Sequence, residues 1–434
     1  MSESDAIIVD VTTAQKVDHI LSDHGKTLVH KIVVGDDVDK TNLKSKGWIS
    51  LQDILEQENN PNCQDNLQTS SKQIMQIFFT SGTTGAPKMC AHTHGSYGYC
   101  HWVTGKYWLD LKPSDLHWNI SDTGWAKSAW SNLFAPWSQG AGVFIHDMPR
   151  FEVEDVIKVL QEVPITTLCA PPTLYRSLIK SDNVKDFKSL NHCVSAGEPL
   201  NEEVIKTWHD KTGLWIREGY GQTETTLVAA TFKGMDLKPG SMGKPAPGYD
   251  VKILDHDGKI LPNGEEGNIA LDYETSAGAL FEEYVGDPEK TKKAFKNGFY
   301  LTGDRGYIDQ DGYIWFTSRQ DDVIISSGYR IGPFEIESAL IEHPAVLESA
   351  AVGSPDPARG QIVKAFIVLA NNYQNKIKSN PKEKEFLIEE LQNHVKATTA
   401  PYKYPRKIEF VDELPKTVSG KIKRVELRLS EMKK

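Results

Sequence analysis

Residues 78–90 read FFTSGTTGAPKMC, a loop rich in hydroxyl groups and glycine that carries a lysine and follows an apolar run at residues 74–79. The apolar run predicts a strand. The glycines let the backbone turn its N–H groups inward, and the hydroxyls and the lysine add further donors, so the stretch predicts a cradle for a polyphosphate. The residues concerned are Thr80, Ser81, Gly82, Thr83, Thr84, Gly85 and Lys88.

The glycine spacing separates this loop from the Walker A loop of P-loop NTPases. A Walker A loop has four residues between its glycines and Ser or Thr after its lysine. Here two residues separate Gly82 from Gly85, and Met89 follows Lys88, so a P-loop NTPase is disfavoured. A short motif of this kind also occurs as an ordinary surface turn, so other segments must decide between the two interpretations.

The composition is that of a globular protein with more than one domain. The chain has 434 residues, of which 39% are hydrophobic and 25% are charged, and this length exceeds what one core usually serves. The formal net charge of -10 leaves no broad basic surface, so no nucleic acid partner is expected. No apolar run reaches the length of a membrane-spanning helix, and the acidic N-terminus shows no targeting sequence.

The cysteines and histidines give no sign of a structural metal site. The five cysteines are scattered and form no C-x-x-C pair, so we expect neither a disulfide framework nor a zinc site, and a reducing compartment fits best. His92, His94 and His101 lie close together in the sequence. They lack the thiolate or carboxylate companions of a zinc site, so packing or helix capping explains them better.

The order of apolar segments predicts an α/β protein in two domains. Up to about residue 225, short apolar runs alternate with helical patterns such as residues 153–161 and 202–211, which predicts α/β subdomains around a mostly parallel sheet. From about residue 226 to 320, brief alternating strands and turns predict a β-rich subdomain. We therefore expect a large domain at residues 1–320 and a small α+β domain at residues 321–434.

The C-terminal part of the chain changes composition after Arg319. Its Asn-rich and Lys-rich stretch at residues 371–381 predicts a solvated loop. The regular elements predicted around this loop are a helix at residues 333–342, strands at residues 346–352 and 364–369, and an amphipathic helix at residues 382–396.

Two further segments carry groups that suit a nucleotide. REGYGQTETT, residues 217–226, offers the Tyr220 ring for stacking on a base, the Thr223 hydroxyl for a phosphate and the Glu224 carboxylate for Mg²⁺. YLTGDRG, residues 300–306, places Asp304 in a predicted tight turn. There the carboxylate could accept both hydroxyls of a ribose, or it could be a simple turn aspartate.

Two basic segments complete the set. SRQDDVIISSGYRIGPFEIE, residues 318–337, carries Arg319 and Arg330, and PKTVSGKIKR, residues 415–424, carries Lys421. Each of these cations alone is more often a solvated surface charge. The whole set of segments in this order is much harder to explain as surface features.

These motifs resemble those of the acyl-adenylate-forming enzymes, a family that comprises acyl-CoA synthetases, luciferases and the adenylation domains of peptide synthetases. The matching motifs are TSGTTGAPK, YGQTE, TGD, SRQDDVI with GYRI, and PKTVSGKIKR. Within the family, NISDTGWAKSAWSNLFAPWSQGAGVFIH and MCAHTHGSYGYC look most like the medium-chain acyl-CoA synthetases of mitochondria. The resemblance begins inside the large domain of the family, so we expect an N-terminally truncated relative.

The resemblance implies an ATP-dependent acid-thiol ligase. A medium-chain fatty acid would attack ATP to give acyl-AMP and pyrophosphate, and coenzyme A would then displace AMP to give acyl-CoA. The implied requirements are ATP, Mg²⁺ and coenzyme A, and the implied location is the mitochondrial matrix. The oligomeric state stays open.

The resemblance also implies a role for each motif residue. Thr80 to Lys88 would wrap the outer phosphates, Thr223 would contact the α-phosphate, Glu224 would hold Mg²⁺ and Lys421 would stabilise the reacting α-phosphate. The nucleoside contacts implied are Gly197, Glu198, Pro199 and Tyr220 around adenine, Asp304 and Arg319 at the ribose, and Arg330 near the phosphates.

The family implies a mobile C-terminal domain that serves the two half-reactions in turn. Asp321 matches the hinge position, and the segment around Gly328 would line the tunnel for coenzyme A. Trp125 is a candidate wall of the acyl pocket, although a tryptophan beside a glycine is as often plain core.

Two alternatives remain from the sequence. One is an adenylating enzyme with a different acyl acceptor, and the other is a truncated, inactive nucleotide-binding protein.

Overall fold

The structure is a computed structural model that describes residues 4–24, 28–35, 42–56, 68–80, 87–121, 123–148, 151–416 and 421–432. The chain forms two compact units, Met1–Thr69 and Ser70–Lys434. Within the described ranges, no helix is both long and apolar enough to cross a membrane.

The first unit is a small α/β layer. Its strands pair in parallel in the order β1-β2-β3, and Ala14, Val33, Leu43 and Trp48 form its core. The Asp10 carboxylate accepts the backbone N–H groups of Thr12 and Thr13 where the first helix begins. The elements are β1 (Ala6–Asp10), α1 (Val11–His24), β2 (His30–Val34), β3 (Trp48–Ser50) and α2 (Leu51–Glu56).

The second unit begins with a hairpin and a large, mostly parallel sheet. Two π-helical segments, Thr104–Trp108 and Trp130–Phe134, interrupt its helices. The elements are β4 (Ile74–Thr80), β5 (Lys88–Thr93), α3 (His94–Val103), β6 (Leu116–Asn119), α4 (Ala126–Ala129), α5 (Ala135–Ser138), β7 (Gly142–Phe144), α6 (Val153–Glu162), β8 (Thr167–Ala170), α7 (Pro172–Leu178), β9 (His192–Ala196), α8 (Glu202–Thr212), β10 (Ile216–Gln222), β11 (Thr226–Ala230) and β12 (Lys244–Pro245).

The large sheet brings the ends of its parallel strands to one edge. Its order is β12-β11-β10-β9-β8-β6-β7, and the strands from β7 to β10 are parallel. Helices α6, α7 and α8 cover one face through a core that includes Trp118, Ile157, Leu160 and Trp208. Because the strands are parallel, the carboxyl ends of β6, β8, β9 and β10 meet at the same edge, where open α/β sheets bind ligands.

The next part of the unit is rich in strands. The elements are β13 (Val251–Leu254), β14 (Gly267–Asp272), α9 (Tyr273–Ser276), β15 (Glu283–Tyr284), α10 (Pro288–Ala294), β16 (Phe295–Lys296), β17 (Phe299–Ile308) and β18 (Ile314–Arg319). An antiparallel sheet runs β13-β14-β17-β16, with β18 paired to β17. The short strand β15 leaves this sheet and pairs with β5, which is followed by β4.

Asp304 does not lie in the predicted tight turn. It lies inside β17, directly opposite Arg319 of β18. Gly303 has φ 72°, which only glycine adopts easily, and the register shifts between Arg305 and Gly306. The TGD motif is therefore an irregularity within a continuous strand, because β17 pairs with β14 on both sides of it, at residues 299–301 and 305–306.

The C-terminal part is an α+β layer, as the sequence predicts. The elements are β19 (Ile324–Ser326), β20 (Tyr329–Ile331), α11 (Pro333–Ile341), β21 (Val346–Asp356), β22 (Gly360–Leu369), α12 (Asn371–Ser379), α13 (Pro381–Thr398), β23 (Lys407–Phe410) and α14 (Arg424–Met432). The sheet runs β20-β19-β22-β21, with β23 beside β22.

The prediction of a loop at residues 371–381 is wrong, because helix α12 occupies most of that stretch. Tyr373 and Ile377 stand four residues apart and pack against the core that contains Leu387 and Leu391. Two apolar residues at helical spacing are enough to dock a short polar helix. The high Asn and Lys content concealed this spacing, whereas the predicted helices α6, α8, α11 and α13 are confirmed.

Charged contacts fasten the last helix to the rest of the C-terminal layer. Arg424 binds Glu337 through two hydrogen bonds, Nη2 to Oε2 at 2.6 Å and Nε to Oε1 at 3.0 Å. Arg428 donates to the Asp322 carboxylate and to the Asp321 carbonyl. These contacts position Lys421, which lies just before α14.

Candidate active site

The site forms where β10 ends and the chain turns back into β11. Gly221 allows this turn, since a Cβ there would lie 1.6 Å from the Thr226 carbonyl oxygen. The turn presents Thr223 and Glu224 at the carboxyl edge of the large sheet. The neighbouring strand β9 ends at Ala196, and Gly197, with φ 110°, begins the segment that carries Glu198 and Pro199.

Asp304 is the centre of the first hydrogen-bond network. It is only 4% exposed. Its Oδ1 accepts from Arg319 Nη1 at 2.8 Å, and its Oδ2 accepts from the Tyr220 hydroxyl at 2.6 Å and from Gln222 Nε2 at 2.7 Å. Burial raises the pKa of Asp304, and Arg319 opposes that shift. The geometry orients both carboxylate oxygens at the edge of the site.

Gln222 is a site residue that the sequence reasoning missed. Its amide donates to the Thr302 carbonyl oxygen at 2.7 Å as well as to Asp304, and it accepts from the Tyr300 hydroxyl at 3.0 Å. The signal was present, because Gln222 lies inside YGQTE two residues after Tyr220. Residues two apart on a strand face the same side, so Gln222 shares the side of Tyr220.

Glu224 is the centre of the second network. It is 8% exposed. Its Oε1 accepts from the Tyr284 hydroxyl at 2.7 Å and lies 3.7 Å from Lys88 Nζ. Thr80 is paired with Lys88 across the β4–β5 hairpin, and its hydroxyl is buried with no hydrogen-bond partner within the described ranges.

The predicted phosphate loop is only partly described. Thr80 and Lys88, its two ends, lie beside the Glu224 network. Ser81, Gly82, Thr83, Thr84 and Gly85 lie outside the described residues, so their part in phosphate binding stays a prediction.

The histidines next to this hairpin contact protein groups. His92 Nε2 lies 2.6 Å from the Thr223 carbonyl oxygen, so it holds the turn before Glu224. His101 stacks on Trp130 with ring centroids 6.0 Å apart, and His94 is the first residue of α3, whose cap is Thr93.

Two cations near Glu198 were also missed from the sequence. Arg176 Nη2 lies 3.3 Å from Glu198 Oε1. Lys127 Nζ donates to the Ala196 carbonyl oxygen at 3.3 Å, and burial lowers the pKa of Lys127. These contacts fix the end of β9 and the segment after it. Lys127 lies in the quoted stretch NISDTGWAKSAWSNLFAPWSQGAGVFIH, two residues after Trp125, whereas Arg176 lies in none of the quoted motifs.

Lys421 lies near enough to both networks for their charges to act on it, and the space that it borders with them is called the cleft. Its side chain is solvent-accessible, yet the protein packed around the cleft lowers the pKa of its ammonium group. The charges of Glu198, Asp304 and Glu224 oppose that shift, and Arg319 adds to it. The C-terminal layer therefore presents a cation to residues of the large sheet and of β17.

The other predicted residues lie apart from these networks. Gly328, with φ 85°, forms the turn between β19 and β20, and Arg330 is exposed on β20. Within the described ranges, Arg330 makes no hydrogen bond with Asp304 or Glu224. Asp321 lies in the short helix Gln320–Asp322, and Trp125 is half-buried at the start of α4.

The oxygen ligands present fit a hard divalent cation. No donor among the described residues contacts Glu224 Oε2. The Thr80 hydroxyl, which also has no partner among them, lies opposite Lys88 at the end of the hairpin. Carboxylate, hydroxyl and phosphate oxygens are the ligands that Mg²⁺ prefers. Glu224 is the residue that would hold it.

A buried acid beneath the site gives a pH prediction. Glu218 is 8% exposed and accepts the Leu200 N–H at 3.1 Å, and burial raises its pKa from 4.5 to about 8. The folded state keeps this proton while the unfolded state loses it above pH 4.5. The contribution of Glu218 to stability is therefore present below pH 4.5 and is lost as the pH rises to about 8.

We expect Glu218→Gln to remove that loss, since the amide oxygen still accepts the Leu200 N–H. Relative to the wild type, the free energy of unfolding of the variant should rise by up to about 1.4 kcal/mol per pH unit between pH 5 and pH 8. Urea unfolding at several pH values measures this gain. Glu265→Gln on an exposed turn is the control, and parallel curves for Glu218→Gln and wild type would contradict the assignment.

Two known protein families match this chain, one in its N-terminal part and one in its C-terminal part. The family described as AMP-binding enzyme matches residues 1–278, and the family described as AMP-binding enzyme C-terminal domain matches residues 335–421. The chain is 54% identical over 434 residues to the mitochondrial acyl-coenzyme A synthetase ACSM3 of Mus musculus, covering 99% of this chain and 72% of that protein. The Homo sapiens ACSM3 is 52% identical, with 100% and 72% covered.

Two solved structures of similar architecture are CoA ligases by name. The anthranilate CoA ligase AuaEII, in complex with anthranoyl-AMP, has a TM-score of 0.84 at 32% identity, covering 99% of this chain and 78% of that one. A benzoate CoA ligase from Burkholderia xenovorans LB400 has a TM-score of 0.83 at 28% identity, covering 98% and 80%.

Proposed function

Because this chain belongs to the AMP-binding enzyme family, and within it to the medium-chain acyl-coenzyme A synthetases of mitochondria, we propose that it activates a medium-chain fatty acid with ATP. The products are acyl-AMP and pyrophosphate, and coenzyme A then displaces AMP to give acyl-CoA. One observation carries the proposal: Asp304 and Glu224, which are far from Lys421 in the sequence, lie near enough for their charges to act on its ammonium group.

The Asp304 network forms the nucleoside end of the proposed ATP site. A carboxylate only accepts hydrogen bonds, so it suits the two hydroxyls of a ribose. Arg319 opposes the rise in the pKa of Asp304 and orients its carboxylate, and the Tyr220 hydroxyl donates to the same carboxylate. We propose that the Tyr220 ring and residues Gly197, Glu198 and Pro199 frame the adenine.

The Glu224 network forms the phosphate end. Lys88 and Thr80 end the predicted phosphate loop on the side of Glu224, and Thr223 precedes Glu224 in the same turn. We propose that these residues, together with residues 81–85, bind the outer phosphates and the α-phosphate. Mg²⁺ held by Glu224 would neutralise charge on the phosphate oxygens.

Lys421 is the proposed catalytic residue. A fatty acid carboxylate is a weak nucleophile and carries the same charge as the phosphate that it attacks. A compact cation between them stabilises the charge that develops at the α-phosphate in the transition state. The position of Lys421 in the cleft with Glu224 and Asp304 supports this role.

The second half-reaction needs a different arrangement, since the thiol must reach the acyl carbon. We propose that the C-terminal domain, residues 321–434, turns about Asp321 to admit coenzyme A beside Gly328, whose turn is exposed. In this arrangement Lys421 leaves the cleft. In the first half-reaction, Arg330, also exposed, is proposed to approach the phosphates of ATP.

The acyl group and the location are proposed from the relatives. The relatives are named as mitochondrial proteins, so we propose a mitochondrial location, and within it the matrix. Trp125, half-buried at the start of α4, is the proposed wall of the acyl pocket.

Pyrophosphate release with a panel of acids tests the function. With ATP and Mg²⁺, we expect release to depend on acids of medium chain length, and acyl-CoA to form only when coenzyme A is added. Short-chain and aromatic acids complete the panel. AMP release that needs a carrier protein instead of coenzyme A would overturn the choice of acceptor, and a thermal melt unaffected by ATP would overturn the function.

A further inference from the structure

Tyr284 is a buried residue at the phosphate end of the cleft that none of the motifs contains. It belongs to the short strand β15, which pairs with β5 so that Tyr284 stands opposite Cys90. Its side chain is 4% exposed. The pairing brings Tyr284 to Glu224 and to Lys88, which are 60 and 196 residues away in the sequence.

The Tyr284 hydroxyl fixes one oxygen of the Glu224 carboxylate. It donates to Oε1 at 2.7 Å, which is a usual length for an O–H···O hydrogen bond. A phenol is protonated at neutral pH and a carboxylate only accepts, so the direction of this bond is set. With Oε1 engaged, the rotation of the carboxylate is restricted, and Oε2 accepts from no donor among the described residues.

The same ring also locates Lys88. The ammonium lies 4.8 Å from the centre of the Tyr284 ring and 3.4 Å from its hydroxyl, and 3.7 Å from Glu224 Oε1. A cation at this distance from an aromatic ring is attracted to its face. The Tyr284 side chain thus contacts both Glu224 and Lys88, the acid and the cation that are proposed to face the phosphates.

A packing role alone does not account for the hydroxyl. The Tyr284 ring does contact Phe281, with centroids 4.7 Å apart, inside a large apolar cluster. Phenylalanine would fill that space equally well. The hydroxyl adds only the contacts with Glu224 and Lys88.

We propose that Tyr284 is a positioning residue that orients the Glu224 carboxylate for Mg²⁺ and the ATP phosphates and restrains Lys88 beside it. The inference rests on the proposed function, because it presumes that Glu224 faces the metal and the phosphates. Partners that orient metal ligands typically contribute about 10-fold to 100-fold to metal affinity.

Tyr284→Phe tests this role while leaving the ring in place. We expect the Mg²⁺ concentration for half-maximal pyrophosphate release to rise about 10-fold, with the KM for the acid unchanged. A binding measurement without turnover accompanies it. The rise in Tm produced by ATP with Mg²⁺ should shrink in the variant, while that produced by ATP with a chelator should stay the same.

Tyr175→Phe is the matched control, since Tyr175 is a buried tyrosine whose hydroxyl contacts main-chain carbonyls of β8 and β9 and the Cys193 side chain, outside the Glu224 network. In a Glu224→Gln background, Tyr284→Phe should add little, because the two residues act through one hydrogen bond. An unchanged Mg²⁺ dependence and an unchanged Tm shift in Tyr284→Phe would overturn the inference. Failure of the proposed function looks different, since the wild type itself would then lack pyrophosphate release.

Discussion

Lys421→Ala is expected to lower adenylate formation by about 10²-fold to 10³-fold, the usual effect of removing one preorganised donor from a transition state. The lysine is the cation that the C-terminal layer brings to Glu224, Asp304 and Glu198. In the proposed mechanism, the thioester half-reaction proceeds in the other arrangement and does not use Lys421. Acyl-CoA formation from supplied acyl-adenylate should therefore be largely retained. Pyrophosphate release and acyl-adenylate consumption, measured separately, give the two rates.

Lys423→Ala is the control for this variant. Lys423 carries the same charge two residues later and pairs with Glu426 on the surface at 2.9 Å, so both half-reactions should stay near the wild-type rates. An equal loss of both half-reactions in Lys421→Ala would contradict the assignment, because it would mean a general structural role.

Asp304→Asn is expected to raise the KM for ATP by about 10²-fold or more. A hydrogen bond to a charged acceptor contributes about 1.5–3 kcal/mol, and a ribose would make two of them with this carboxylate. The change also leaves Arg319 without its partner at 2.8 Å. Steady-state kinetics with ATP measure the change in KM.

ATP that lacks a ribose hydroxyl gives a second readout for the same residue. Wild type should lose affinity for 2′-deoxy-ATP, and Asp304→Asn should lose less, because the acceptor is already weakened. Asp311→Asn, on an exposed acid that pairs with Lys238, should behave like wild type. If Asp304→Asn and wild type lost the same affinity on going from ATP to 2′-deoxy-ATP, the ribose would have to bind elsewhere.

The sequence predicted those features of the fold that depend on local pattern. Alternation of apolar runs and helical periods predicted the parallel sheet with α6 and α8, and the ordered motifs predicted that Tyr220, Glu224 and Asp304 belong to one site. These signals are local because each lies within a single element or loop. The helix α12 was not predicted, because Tyr373 and Ile377 are only two apolar residues in a polar stretch.

The partners of the motif residues could not be predicted in the same way. Tyr284 reaches Glu224 only because β15 leaves its own sheet and joins β5, and no local pattern specifies that pairing. Asp304 was expected in a turn because TGD contains a glycine, but the pairing of β17 with β14 on both sides of the motif keeps the chain extended. Register and strand partners depend on contacts across the fold, which a motif does not contain.

The contacts of α14 have a mechanical consequence for Lys421. Arg424 holds Glu337 of α11, and Arg428 holds both Asp322 and the main chain of Asp321. Lys421 thus precedes a helix that is held by hydrogen bonds at the proposed hinge residue, Asp321, and at its neighbour Asp322. If the domain turns about Asp321 as proposed, these contacts carry α14 and Lys421 with it, so the angle at Asp321 sets the distance of Lys421 from Glu224 and Asp304. Loss of the Arg428 contacts would weaken the link between Asp321 and α14, so a turn at Asp321 would no longer bring the Lys421 ammonium group to the cleft.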